Sequence, residues 1–244
     1  MNPDIKRIVV IGDIHGDSVW KKLLSKDKLE NKFSSTLYVF VGDYFDSFVY
    51  IPPEQIRNFD DLLSEKSYNP ENIILLLGNH DYHYLPYVNQ RYSGYSPHTA
   101  ILAGGTLKLC VDQNLLQVIF QYKNLIVSHA GITKTWLANS RLKIKDINSS
   151  FLDSFKKFEF QNTGDMYGNS IYQSPLWVRP ESLRSDSIPD CIQIVGHSGV
   201  PEILIEDNIV FLDCLQKKKE VLEILISQEE SFTTEPFRTI TIEQ

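Results

Sequence analysis

Short runs of β-branched and aliphatic residues alternate with amphipathic stretches along the first 130 residues. Residues 7–12 (RIVVIG) read as a buried strand, 17–26 as a helix with Val19, Trp20, Leu23 and Leu24 on one face, and 37–42 (LYVFVG) as a second strand. Pro52 and Pro53 suit the first turn of a helix running to about Glu65, because proline lacks the N–H that a first turn leaves unpaired. Residues 73–77 (IILLL) form a third strand and 124–128 (NLIVS) a later one. Strand and helix in alternation predict an α/β domain built in layers around a sheet.

Farther along, residues 133–160 read as mostly helical. Residues 161–190, rich in Gly, Pro, Ser and Asn, carry no apolar period and read as a long surface excursion. Residues 191–195, 202–206, 209–214 and 221–226 read as short strands of an antiparallel meander. The polar stretch 227–244 either frays or ends in a short strand at 237–242. No repeat or linker divides the chain, so one domain is expected over 1–244, with its core at about 6–226 and a polar tail beyond.

At 244 residues and 42% hydrophobic content the chain can bury a full core without staples. Lys+Arg total 24 against 31 Asp+Glu, a formal net charge of −7. Phosphate contacts need an excess of Lys and Arg, so nucleic acid is a disfavoured partner. Cys110, Cys191 and Cys214 form no Cys-x-x-Cys pair and sit in apolar stretches, as buried thiols of a reducing compartment do. The N-terminus shows no signal-peptide core and no apolar run is long enough to span a bilayer. These features predict a cytoplasmic protein without a membrane partner.

Five polar clusters each follow a strand-like run, where an open sheet presents its functional loops. They are Gly12-Asp13-Ile14-His15-Gly16, Gly42-Asp43-Tyr44-Phe45-Asp46, Gly78-Asn79-His80-Asp81, Ser128-His129-Ala130-Gly131 and Gly196-His197-Ser198. Taken singly, Gly-Asp and Gly-Asn after a strand are ordinary turn chemistry. Taken together they are not, because turns do not require histidine, and four of the six histidines fall here. Their Asp, His and Asn side chains make a mixed oxygen and nitrogen ligand set, suited to manganese, iron or zinc rather than to a thiolate site.

The series GDIHG, GDYFD, GNHD, SHAG and GHS, in that order, resembles the calcineurin-like metallophosphoesterases. It is most similar to their phosphoprotein-phosphatase branch with its small bacterial and phage members, over roughly residues 6–215. The resemblance implies a β-sandwich flanked by helices and a dinuclear metal centre at the strand ends. Asp13 and His15 would bind one metal, Asp43 would bridge, and Asn79, His129 and His197 would bind the second. His80 would face the leaving group as general acid, with Asp46 orienting it. Manganese is the first choice of metal, with iron, zinc or nickel as alternatives. Two ions about 3.5–4 Å apart can share a hydroxide that attacks phosphorus in line. The ligand histidines bind only when unprotonated, so metal affinity is expected to weaken as pH falls. Gly199 replaces the second histidine of the Gly-His-x-His motif found in phosphodiesterase branches, which favours the phosphatase branch.

One departure matters. The phosphatase pattern GDxVDRG places an arginine after the second aspartate to grip phosphate, and this chain has Ser47 there. Serine cannot replace the bidentate guanidinium. Arg179, in Trp177-Val178-Arg179, is the first candidate to compensate, and Arg91 the second. Near Arg91, Tyr82, Tyr84, Tyr87, Tyr92 and Tyr95 either line a pocket that stacks on an aromatic or nucleobase leaving group or pack within the loop. His83 and His98 match no motif position and read as surface or packing residues. Trp20 and Trp136 read as core; Trp177 fits either role. Lys217, Lys218 and Lys219 read as a solvated turn.

The expected function is metal-dependent hydrolysis of a phosphomonoester, carried by a phosphoprotein or a small molecule. The rivals are hydrolysis of a dinucleoside polyphosphate or a phosphodiester, and a non-catalytic binding module that retains the fold.

Overall fold

The computed structural model describes residues 2–165, 168–226 and 230–242. Two sheets face each other across a shared apolar layer. The first is six-stranded: β1 (Arg7–Ile11), β2 (Thr36–Phe40), β3 (Ile73–Leu76) and β4 (Leu116–Gln117) run parallel, and β10 (Glu220–Leu225) and β11 (Arg238–Thr241) extend it antiparallel beyond β1. The second holds β5 (Ile119–Tyr122), β6 (Leu125–Ser128), β7 (Ile192–Val195), β9 (Ile209–Phe211) and β8 (Leu204–Glu206), in that spatial order.

The two-residue period of a strand sorts its side chains between two layers. Ile8 and Val10 of β1 point inward with Leu37, Val39 and Leu76, and meet Leu125, Val127, Ile192, Ile194 and Val210 of the second sheet. Val9 and Ile11 point the other way, with Tyr38, Phe40 and Leu75, onto the helical layer. That layer contains α1 (Trp20–Leu29), α2 (Pro52–Tyr68) and α4 (Pro97–Asp112), which contribute Trp20, Leu23, Phe59, Leu62 and Leu107. Both faces of β1 and β2 are therefore buried, which is why their sequences are unbroken apolar runs. Each large side chain so buried contributes about 1.5–3 kcal/mol.

The other expected helices are short: α5 (Lys134–Ser140) and α6 (Ile147–Ser154) occupy the helical stretch, joined and followed by 3-10 turns. α1 starts at Trp20 rather than Asp17, because the Asp17 carboxylate accepts the Val19 N–H (2.8 Å) and makes a turn there. Trp20 and Trp136 are core, and Trp177 is buried with them. Cys110, Cys191 and Cys214 are buried and unpaired.

Two expectations fail. The strands after residue 190 are not a meander: β7 pairs parallel with both β6 and β9, β8 and β9 form a hairpin, and β10 joins the other sheet. The short helix α8 (Leu215–Lys218) lies at the crossover. The surface excursion passes through the interior at its centre. Residues 173–178 are buried, the Pro175 carbonyl accepts the Ala130 N–H (2.7 Å), and α7 (Pro180–Asp186) follows. Buried Gln173 and Ser174 interrupt the apolar pattern, and their hydrogen bonds to the Gln161 carbonyl and the Phe158 carbonyl offset that burial.

In the polar tail, Phe232 and Phe237 are buried and β11 forms where the short strand was expected. Residues 227–229 and 243–244 of that tail, 166–167 of the long segment, and Met1 lie outside the described residues. Among the described residues no helix is long and apolar enough to cross a membrane.

Candidate metal and phosphate site

Five parallel strands end on one rim. Asp13 and His15 follow β1, Asp43 and Asp46 follow β2, and Asn79, His80 and Asp81 open the short helix α3 (Asn79–Tyr82) after β3. His129 follows β6 and His197 follows β7, so the second sheet supplies two histidines to the same rim. The backbone there is forced into the left-handed region at His15 (φ 42°), Asp43 (52°), Asp46 (60°) and His197 (64°). Strain of this kind persists where surrounding structure over-determines it, and it gathers at functional sites.

Contacts across the rim are short. The His197 N–H donates to both oxygens of Asp13 (3.1 and 3.0 Å), and the His80 N–H to Asp43 Oδ1 (2.9 Å). His15 Nδ1 lies 2.7 Å from the Phe45 carbonyl and His129 Nδ1 3.0 Å from the Val41 carbonyl. A carbonyl accepts only, so each Nδ1 carries the proton and each Nε2 presents a lone pair. Those lone pairs converge on the bridging candidate: His129 Nε2 is 3.5 Å from Asp43 Oδ2, and His15 Nε2 is 3.8 Å from it. Asn79 Oδ1 adds another acceptor, 2.8 Å from His129 Nε2 and 2.8 Å from His197 Nδ1. The acceptors His129 Nε2, Asn79 Oδ1 and Asp43 Oδ2, aimed at one another, repel unless a cation lies between them. The ligand atoms of Asp13, His15 and Asp43 all fall within 4.8 Å of one another. This donor set fits divalent ions, with carbonyl partners holding the ring orientation as metal-ligating histidines require.

A family model for calcineurin-like phosphoesterases matches residues 6–222. The chain belongs to that family. It is a metal-dependent phosphoester hydrolase. Among solved structures, the phosphoesterase is similar to a cold-active protein-tyrosine phosphatase of a psychrophilic Shewanella, at 20% identity and TM-score 0.59 over 90% of this chain and 75% of that one. It is also similar to a protein serine/threonine phosphatase from Saccharomyces cerevisiae, at 16% identity and TM-score 0.58 over 100% and 81% of the two chains. A putative diadenosine tetraphosphatase aligns at 16% identity and TM-score 0.55 over 98% of this chain and 95% of that one. At such identities the likeness is one of fold. A search of curated proteins found no match.

The electrostatics of the phosphoesterase rim answer to burial. Burial, then the Asp213 and Asp43 charges, push the Asp13 carboxyl well above its ordinary value, and burial followed by Asp81 does the same to Asp43. Burial pushes Asp213 up to about 6. The histidines move the other way: burial brings His129 down to about 3, lowers His197 well below its usual range, and lowers His15. A dication reverses the resistance of crowded carboxylates to ionising and reinforces the resistance of the imidazoles to protonation.

Of the two arginines, Arg179 is the one brought to the candidate ligand histidines His129 and His197. Its Nη1 is 3.5 Å from the hydroxyl of Ser198, the residue after His197, and its charge is among the causes that lower both His129 and His197. Arg91 is exposed and its guanidinium lies over the Tyr95 ring, 4.6 Å from the centroid. Ser47 makes a turn, its hydroxyl accepting the Val49 and Tyr50 N–H groups (3.1 and 3.0 Å).

His80 Nδ1 is 2.8 Å from Asp46 Oδ2, and the ring keeps about 20% exposure toward the rim. Burial works against the Asp46 charge, but donation from His80, His83 and Tyr84 outweighs it and holds the carboxyl below its ordinary value. Tyr82 and Tyr84 are buried and Tyr92 lies against Trp177 (4.1 Å), while Tyr84 and Tyr95 line a cavity with His83 and Arg91.

Three residues escaped sequence reasoning. Asp81 received no role, yet it binds the loop of Asp43, and its place in GNHD was the available signal. His83 is a packing residue as expected, but it also reaches Asp46 (2.7 Å), which its position outside every motif concealed. Asp213, after β9, carries no glycine beside it to mark it.

Proposed function

We propose that the phosphoesterase hydrolyses phosphomonoesters, of a phosphoprotein or a small molecule, at a dinuclear centre. Asp13 and His15 hold one ion, Asp43 bridges, and Asn79, His129 and His197 hold the other. The convergence of the His15 and His129 lone pairs on Asp43 carries this reading. When bound, two divalent ions make a strong nucleophile available near neutral pH and neutralise charge on the phosphoryl oxygens. Arg179 grips a phosphoryl oxygen in place of the arginine missing after Asp46. His80 gives its Nε2 proton to the departing oxygen while Asp46 holds Nδ1–H, a contribution of about 10²–10⁴ in rate.

Manganese suits the oxygen and nitrogen donors, and the three buried thiols fit a cytoplasmic location. Burial takes Tyr82 and Tyr84, two of the five loop tyrosines, out of reach of a nucleobase. Rates on p-nitrophenyl phosphate, bis-p-nitrophenyl phosphate and diadenosine tetraphosphate test the substrate class. The monoester is expected to be fastest; preference for either other substrate would replace this reading.

A further inference from the structure

Three groups meet one carboxylate. Asp46 Oδ2 lies 2.8 Å from His80 Nδ1 and 2.7 Å from His83 Nε2, while the Tyr84 hydroxyl donates to Oδ1. The Tyr92 N–H points at His83 Nδ1 (3.4 Å), so the His83 proton sits on Nε2, whose 2.7 Å contact with Asp46 Oδ2 is close but off hydrogen-bond alignment. The His83 side chain has 0% exposure. Its ring is edge-on to Tyr84 (4.3 Å) and Tyr95 (5.3 Å) and parallel to Tyr92 (5.9 Å, 12°). Gly94, at φ +89°, brings the same loop so close that a Cβ there would stand 2.9 Å from the Asp46 Cβ. A phenyl ring would fill this aromatic shell without burying a polar group, so packing alone does not account for an imidazole.

We infer that His83 is a positioning residue which, with Tyr84, clamps Asp46 so that His80 keeps one orientation and one tautomer during proton transfer. The inference rests on the acid role proposed for His80. As the P–O bond breaks, its electron pair stays on the leaving oxygen, which takes the proton from His80 Nε2; the Nδ1 proton remains in the hydrogen bond to Asp46. The Tyr84 hydroxyl on Oδ1 limits rotation of the Asp46 carboxylate, and the His83 ring against Oδ2 fixes the side on which His80 Nδ1–H meets it.

The test compares phenyl phosphate, whose leaving group needs a proton, with 2,4-dinitrophenyl phosphate, whose leaving group does not. His83→Phe is expected to lower kcat on phenyl phosphate about tenfold and on the dinitrophenyl ester less than about twofold, at unchanged bound manganese. His83→Gln, which keeps an N–H in reach of Asp46, is expected to recover most of the loss. Tyr84→Phe should show the same selectivity more weakly, and it serves if His83→Phe fails to fold. Equal losses on both esters, or none on either, would overturn the role of His83 if His80→Asn retains the selectivity. If His80→Asn is itself insensitive to the leaving group, the acid role of His80 falls and this inference with it.

Discussion

Asp81 fixes Asp43: Asp81 Oδ2 accepts the Asp43 backbone N–H at 2.8 Å. The same oxygen accepts the Gly78 N–H (2.9 Å) and Oδ1 accepts the Tyr44 N–H (2.8 Å). One buried carboxylate thus ties the loop after β2 to the turn after β3 and helps hold Asp43 at its positive φ.

Removing that carboxylate leaves three buried N–H groups unpaired, at about 1–3 kcal/mol each. Asp81→Ala is therefore expected to cost about 3 kcal/mol or more of stability, and Asp81→Asn less, since its amide oxygen still accepts. Burial pushes the Asp81 carboxyl up to about 7, so denaturation is best followed at about pH 8, where it is ionised. Wild-type stability in Asp81→Ala would show that these bonds contribute nothing.

Gly78 and Gly196 let backbone approach the ligand carboxylates. A Cβ at Gly78 would lie 2.1 Å from Asp43 Oδ1, and one at Gly196 would lie 2.0 Å from Asp13 Oδ1. Alanine at either place must displace a proposed metal ligand, and at Gly78 also the Asp43 backbone, whose N would lie 2.3 Å from the Cβ. Manganese affinity is expected to fall about 10–100-fold in each variant. Equilibrium dialysis checks this, and unchanged affinity would remove Asp13 and Asp43 from the ligand set.

Much of this rim was legible because each ligand follows a strand whose apolar run is continuous, and glycine beside it marks the turn. The sandwich pairing was not, since parallel neighbours such as β6 and β7 are joined across a long stretch of sequence and leave no local signature. α4 was missed although Ser96 and Pro97 announce its start; Gly104 and Gly105 break the helical pattern. Gly104 is there because a side chain would meet the Tyr84 carbonyl at 2.9 Å. His83 acts on Asp46, more than thirty positions away, and spacing carries no trace of that.

Arg179 and Arg91 separate cleanly. Arg179→Ala is expected to raise KM for a phosphomonoester and to weaken inhibition by inorganic phosphate at least about tenfold, as loss of a charge-assisted bidentate contact does. Arg91→Ala should stay within about twofold, since its guanidinium stacks on Tyr95. The reverse ranking, read from steady-state kinetics, would reassign the clamp.

Metal binding is expected to release protons. His129, down at about 3, and His197, well below its usual range, hold no proton to displace near neutral pH. Asp13 and Asp43 are raised by burial and neighbouring carboxylates, so the metal-free protein holds protons on this cluster to higher pH than ordinary carboxyls do. Manganese displaces them, and its affinity rises with pH. The direction matches the sequence expectation, but carboxyl groups rather than histidines supply it. Calorimetric titration in buffers of different ionisation heat counts the protons; uptake instead of release would contradict this sign.

The most direct measurement is the number of manganese ions bound per chain, by atomic emission after equilibrium dialysis, in wild type and in Asp43→Asn with turnover measured alongside. Two ions in the wild type, fewer in the variant, and a loss of turnover of at least about a hundredfold are the predicted result. A single ion in the wild type, or two ions and full turnover in Asp43→Asn, would contradict a dinuclear centre bridged by Asp43.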